Sequence, residues 1–99
     1  MEKDFEIVEL FEIYKDLLTD KQRELFSSYY LFDLSLSEIA DVEGGSRQSV
    51  YDAIKKVKKK LSEYEKILGI QDKTKRLEEV ANDTNDEKTA RAIREIIER

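Results

Sequence analysis

Cysteine, histidine, proline and tryptophan are all absent from this 99-residue chain. Without cysteine there are no disulfides and no thiolates, and without histidine the usual zinc sites and the commonest general base are gone as well. No cofactor and no metal site is expected. Carboxylates remain plentiful, but pairs such as Glu78 with Glu79 and Asp86 with Glu87 read as exposed helix surface, and no nucleophile–base arrangement accompanies them. The chain is therefore not expected to be an enzyme. Three glycines and no proline leave almost nothing to punctuate strands or tight hairpins, which points to an all-α protein. No apolar run approaches the ~20 residues that span a bilayer, and the opening MEKDFEIVEL is acidic where a targeting segment would be basic. A cytoplasmic protein without membrane insertion is expected, and the missing cysteines agree with a reducing compartment.

What the chain does have is charge, at 41% of residues, beside 39% hydrophobic residues. A chain this long buries about two-thirds of its unfolded surface in one core, so a single helical domain over residues 1–99 is the expectation. The net charge of -5 hides an uneven distribution. Residues 1–43 carry four basic and twelve acidic side chains, residues 44–66 seven and three, and residues 67–99 seven and eight. Positive charge is confined to the middle segment. Phosphates respond to potential within a Debye length, ~10 Å at moderate salt, so the local excess matters more than the acidic total.

Apolar periodicity lays out the helices. In residues 3–18, Ile7, Leu10, Phe11, Tyr14, Leu17 and Leu18 share one broad face at about 100° per residue, with Phe5 and Val8 off it. A face so wide is either enclosed by several helices or shared with a second subunit. TDKQ at 19–22 has the form of a capping box before a second helix running from about Asp20 to Phe32. Its aromatic run suggests base stacking or core, and the spacing of Leu25, Phe26, Tyr29, Tyr30 and Phe32 favours core. SLSE at 35–38 opens a short helix in which Leu36, Ile39 and Ala40 align, and EGG at 43–45 stops it. Ser46 then offers an N-cap to a helix from Arg47 to about Leu68, with Gly69 as its stop. Beyond it, Leu77, Val80 and Ala81 suggest one helix. TNDE at 84–87 fits a cap before a last helix with Ala90, Ile93, Ile96 and Ile97 in a narrow stripe, to be buried in the chain's own core or on a partner chain.

The function-bearing segment is about 35–68. A short helix, a glycine turn and a long helix are the form of a helix-turn-helix, whose second helix can enter the major groove. Projected at 100° per residue, Val50, Ala53, Ile54, Val57, Leu61 and Tyr64 gather on one side, while Arg47, Gln48, Tyr51, Asp52, Lys55, Lys56, Lys58 and Lys59 occupy the other. Ser46, Arg47 and Gln48 at its start are residue types that bond phosphates and base edges, arginine to guanine and glutamine to adenine. The lysines can lie along a phosphate backbone, which makes affinity fall steeply with salt. Asp52 is the discordant member, able to accept from cytosine N4 but repelling phosphate. The competing reading is a solvated lysine face covering apolar stems.

The blocks LLTDKQ, YYLFDLSLSEIA and SRQSVYDAIK, within roughly residues 5–69, resemble the YlxM family of small bacterial proteins and, more distantly, the region-4 helix-turn-helix of sigma factors. The last thirty residues match no such block. The resemblance implies an all-α protein with a sigma region-4-like helix-turn-helix, a C-terminal helical extension over about 70–99, nucleic-acid binding (duplex DNA first, RNA second), a homodimer formed outside the motif, and a regulatory role in the signal recognition particle pathway. By position it carries over Ser46, Arg47, Gln48, Val50, Tyr51, Asp52 and Ile54 to the second helix and Leu36, Ile39 and Ala40 to the first. The turn departs from the family, with Glu43 and Gly45 where an apolar residue usually stands on each side of a glycine. Removing two small apolar groups from the core there costs ~1–3 kcal/mol, and Val42 is left to fill the gap if the first helix ends one residue early. The competing partner is a protein or structured RNA of the signal recognition particle system, met without sequence-specific DNA binding.

Overall fold

The computed structural model describes residues 5–98, and among them there is no strand. Six helices follow in order: α1 Phe5–Tyr14, α2 Asp20–Phe26, α3 Leu36–Glu43, α4 Arg47–Leu68, α5 Ile70–Asp83 and α6 Glu87–Ile97. The fold is all-α. The described residues group into two compact units, one up to Ile67 and one from Leu68 onward.

In the first unit the broad face of α1 is enclosed by its own chain. Ile7, Leu10, Phe11, Tyr14 and Leu18 are buried in one core with Phe26, Tyr29, Tyr30, Ile39, Ala40, Val50, Ile54, Val57 and Leu61. Leu17, expected on that face, is 53% exposed. After Tyr14 the chain tightens into a 3₁₀ turn at Lys15–Leu17, whose three residues per turn swing Leu17 away from the face that a 3.6-residue helix would have kept. Val8, expected off the face, packs partly against the core.

The capping boxes at the starts of α2 and α3 form as expected. Gln22 N–H donates to Thr19 Oγ1 (3.1 Å) while Thr19 N–H donates to Gln22 Oε1 (2.9 Å), and Ser35 with Glu38 repeats the pattern at 3.1 and 3.0 Å. Each box satisfies two N–H groups that a helix start would leave bare. The N–H of Ser35, and secondly its hydroxyl, hold the Glu38 carboxyl below the usual carboxylate range. Arg23 crosses from α2 to donate to the carbonyls of Lys15 (3.1 Å) and Leu18 (2.8 Å), the first of which also accepts from Leu18 N–H at 3.0 Å.

Most of the aromatics from Phe26 to Phe32 are core. Phe26 is fully buried, stacked on Phe11 (4.3 Å, 11°) and on Tyr30 (4.4 Å, 22°), and Tyr29 meets Tyr30 edge-on at 5.0 Å. The helix widens to a π turn over Ser27–Leu31, closed by Phe32 N–H to the Ser27 carbonyl at 2.9 Å. One residue more per turn keeps Tyr29 and Tyr30 inward beneath Phe26 but rotates Phe32 out, to 71% exposed. Phe32 is therefore not a core residue.

The far half of α4 is fastened to the end of α1. Tyr14 donates its hydroxyl to Glu65 Oε1 at 2.7 Å, the Tyr14 and Tyr64 rings lie 5.9 Å apart, and Tyr64 donates to the Leu17 carbonyl at 3.3 Å. These bonds fix the far half of α4, the helix that carries the candidate site.

The second unit is a hairpin of α5 and α6. Asp86, not Thr84, caps α6: its carboxylate accepts from Lys88 N–H (3.0 Å) and from the Thr89 hydroxyl (2.7 Å), and these donors, Thr89 first, hold its pKa below the usual value. Thr84 Oγ1 instead accepts from Asp86 N–H at 3.2 Å and shapes the turn. Among the described residues here only Ala81 and Ala90 are buried, while Val80 and Ile96 stay more than half exposed. The expected stripe of Ala90, Ile93, Ile96 and Ile97 is only partly covered, because two helices cannot enclose each other's inner faces.

Candidate nucleic-acid interface

The turn between α3 and α4 is Gly44, Gly45 and Ser46. Gly44 N–H closes α3 on the Ala40 carbonyl (2.8 Å), and both glycines take positive φ, +83° and +95°. Ser46 caps α4 as expected, and Ser49 answers it. Ser49 N–H donates to Ser46 Oγ and Ser46 N–H donates to Ser49 Oγ, each at 3.0 Å. Ser49 was not expected in the cap, although the three-residue spacing of a capping box is a signal for it in the sequence.

Gly45 is locked by that cap. A Cβ there would stand 2.9 Å from Ser49 Oγ, whereas at Gly44 it would meet nothing within 4 Å. Both Gly44→Ala and Gly45→Ala carry the left-handed strain of roughly 1–2 kcal/mol, but only Gly45→Ala must also displace the capping serine. Gly45→Ala is expected to melt below Gly44→Ala in thermal denaturation, and equal melting temperatures would refute the steric account.

Glu43 borders a gap. Behind the turn lies a cleft of about 170 Å³ lined by Lys21, Leu25, Glu43, Gly44, Ser49, Val50 and Ala53. Val42 does not fill it. The first helix runs on to Glu43, and Val42 is 79% exposed. The helical period that turns Leu36, Ile39 and Ala40 inward reaches position 43 next, so a glutamate stands where an apolar side chain would plug the space.

The division of α4 into two faces is as the wheel gives it. Val50, Ile54, Val57 and Leu61 are buried, with Ala53 and Tyr64 half-buried beside them. Ser46, Arg47, Gln48, Asp52, Lys55, Lys56 and Lys59 are exposed, and Tyr51 and Lys58 are half-buried at the flank. Gln48 Nε2 donates to Asp52 Oδ1 at 3.0 Å, and the Lys55 ammonium sits 5.5 Å from the Tyr51 ring centre. Gln48 and Asp52 thus act as one unit, with the amide oriented by the carboxylate. No ion pair among the described residues engages Arg47, Lys55, Lys56, Lys58 or Lys59. Their charge stands on one side of a helix whose other side is core. Lys66, not among the basic residues expected to bind, lies seven residues beyond Lys59 on the same solvent-facing stripe, a spacing legible in the sequence.

Comparison with known proteins agrees with the geometry. Residues 1–99 match the family model described as "Putative helix-turn-helix protein, YlxM / p13 like". The chain belongs to this YlxM / p13-like family. Relatives include a UPF0122 protein of Mycoplasma capricolum, 46% identical over 102 residues, which cover 98% of this chain and 90% of the relative. One from Caldanaerobacter subterraneus is 46% identical over 85 residues (81% and 73%), and one from Shouchella clausii 53% identical over 64 residues (65% and 59%). The family match includes the last thirty residues, so the α5–α6 hairpin belongs to the YlxM-like chain rather than being foreign to it. Among the described residues no helix is long and apolar enough to cross a membrane.

Proposed function

We propose that this YlxM-like protein is a nucleic-acid-binding regulator that sets the exposed face of α4 on duplex DNA. The observation that carries the reading is the set Arg47, Lys55, Lys56, Lys58 and Lys59, exposed or at the flank and without ion pairs among the described residues. Ser46 and the first N–H groups of α4 add donors for phosphate, and Gln48, Tyr51 and Asp52 add groups for base edges. The partly uncovered apolar residues of α5 and α6, Leu77, Val80 and Ile96, favour a homodimer, which would present two copies of α4 to one duplex. A regulatory place in the signal recognition particle pathway follows from the family resemblance. The test is a titration of labelled duplex DNA at several salt concentrations. Five phosphate contacts give a slope of log K against log salt of about -4.5, and a binding constant indifferent to salt would count against the reading.

The second reading is association with structured RNA or with a protein of that pathway. The glutamate and the cleft at the turn favour it, since an unfilled space between the two helices gives up packing that would fix the inter-helix angle on which base-sequence readout depends. Competition of double-stranded RNA against DNA in the same titration separates the two.

A further inference from the structure

Two features of the first unit are at odds with the usual docking of a helix-turn-helix. In that docking the second helix enters the major groove by its first turn while the first helix crosses the phosphate backbone. Here α3 has no basic residue, and Glu38, Asp41 and Glu43 are all exposed on it. Glu38 is moreover folded onto the N-terminus of α3, its carboxylate accepting from Ser35 N–H and its own N–H donating to Ser35 Oγ. The helix start that would otherwise receive a phosphate is thus partly self-satisfied and already holds a carboxylate.

The second feature is the length over which α4 stays basic. Gln48, Asp52, Lys55, Lys59 and Lys66 fall within about 60° of one another on the pole opposite Val50, Ile54, Val57 and Leu61. Lys55, Lys59 and Lys66 are exposed and make no ion pair among the described residues. At 1.5 Å per residue, Lys66 lies roughly 28 Å along the axis from Arg47. The major groove is about 8.5 Å deep and 12 Å wide. A helix entering by its tip would leave Lys66 far outside the groove, whereas one lying lengthwise brings Lys55, Lys59 and Lys66 against phosphates together.

We propose that α4 meets a nucleic-acid double helix lengthwise, along the stripe Gln48–Lys55–Lys59–Lys66, with α3 held clear of the phosphates. This rests on the reading of α4 as the nucleic-acid-binding helix and gives that helix its orientation and one further binding residue, Lys66. Binding of this kind is read mainly from the backbone, and is therefore nearly indifferent to base sequence.

The experiment uses the full chain and a labelled duplex DNA of about 20 base pairs of arbitrary sequence, titrated at several salt concentrations, with circular dichroism confirming that each variant folds. Lys66→Gln is expected to lower the slope of log K against log salt by about 0.9, the amount for one phosphate contact, and Lys59→Gln by the same. The pair Asp41→Lys with Glu43→Lys is expected to leave the slope at its parental value, because neither side chain contacts a phosphate when α4 lies lengthwise. A Lys66→Gln protein that binds like the parent overturns the proposal. So does an Asp41→Lys, Glu43→Lys protein with a slope steeper by about two, the sign of α3 lying on the backbone. Reversal of Lys55 and Lys59 serves as the separate control: undiminished binding there removes α4 from the interface altogether, whereas loss there with Lys66 silent rejects only the lengthwise orientation.

Discussion

Lys55→Glu combined with Lys59→Glu is expected to abolish salt-sensitive nucleic-acid binding while leaving helicity unchanged. Both side chains are exposed and lie one helical turn apart, pointing away from buried Ile54 and Val57. Neither makes an ion pair among the described residues, so removing them breaks none of the described ones. Within the protein the double variant gives up the approach of the Lys55 ammonium to the Tyr51 ring, worth about 0.5–1 kcal/mol at an exposed site. The effect on binding is larger. Two of about five phosphate contacts go, and two carboxylates then face the backbone, so the residual affinity should no longer respond to salt with the parental slope. Fluorescence anisotropy with duplex DNA gives the binding and far-ultraviolet circular dichroism the fold. Retained binding with retained slope would show the lysine face to be solvated surface only.

The second large effect is on stability. Phe26 is completely buried between Phe11 and Tyr30, at the point where α1, α2 and the π turn share one core. Phe26→Ala removes the ring from both stacks and leaves a cavity, for which about 3–5 kcal/mol is usual. Small domains hold only about 5–15 kcal/mol in all, so the variant is expected to lose a large share of its stability and to unfold at a much lower urea concentration than the parent. Phe32→Ala, six residues on but 71% exposed, is expected to change stability by no more than about 0.5 kcal/mol. Urea unfolding of the two variants side by side checks this, and similar midpoints would contradict the assigned core.

The contrast between these two phenylalanines also shows how far the sequence could be followed. Both fall within one aromatic run, and helical spacing assigns both inward. The π turn at Ser27–Leu31 separates them, and no glycine or proline marks it in the sequence, so periodicity has no means of registering it. Leu17 is misplaced for the same kind of reason, a 3₁₀ turn that changes the period at the end of α1. The caps at Thr19 and Ser35 were legible because their two reciprocal bonds are local and need only residue types at fixed spacing. At the start of α6 two oxygens compete within three residues, and local pattern alone does not rank Asp86 above Thr84.

The candidate site was legible in proportion. The placement of Val50, Ile54, Val57 and Leu61 opposite the lysines is a pure consequence of helical period and holds in the fold. The bond from Gln48 to Asp52 gives the discordant acid a partner four residues back, a common spacing for side-chain pairs on a helix. The cleft at the turn depends on the phase with which α3 ends. Had α3 stopped one residue sooner, Val42 would have been free to turn inward; because it continues to Glu43, the helical phase brings a carboxylate to the gap instead.

The most direct test of the central claim is to retain the full chain on a resin in cell lysate, with and without nuclease, and to sequence whatever nucleic acid stays bound. Duplex DNA retained by the parent, lost on nuclease treatment and lost from the Lys55→Glu, Lys59→Glu protein is the expected result. Retention of protein alone, undiminished by nuclease and equal for the two proteins, would contradict it.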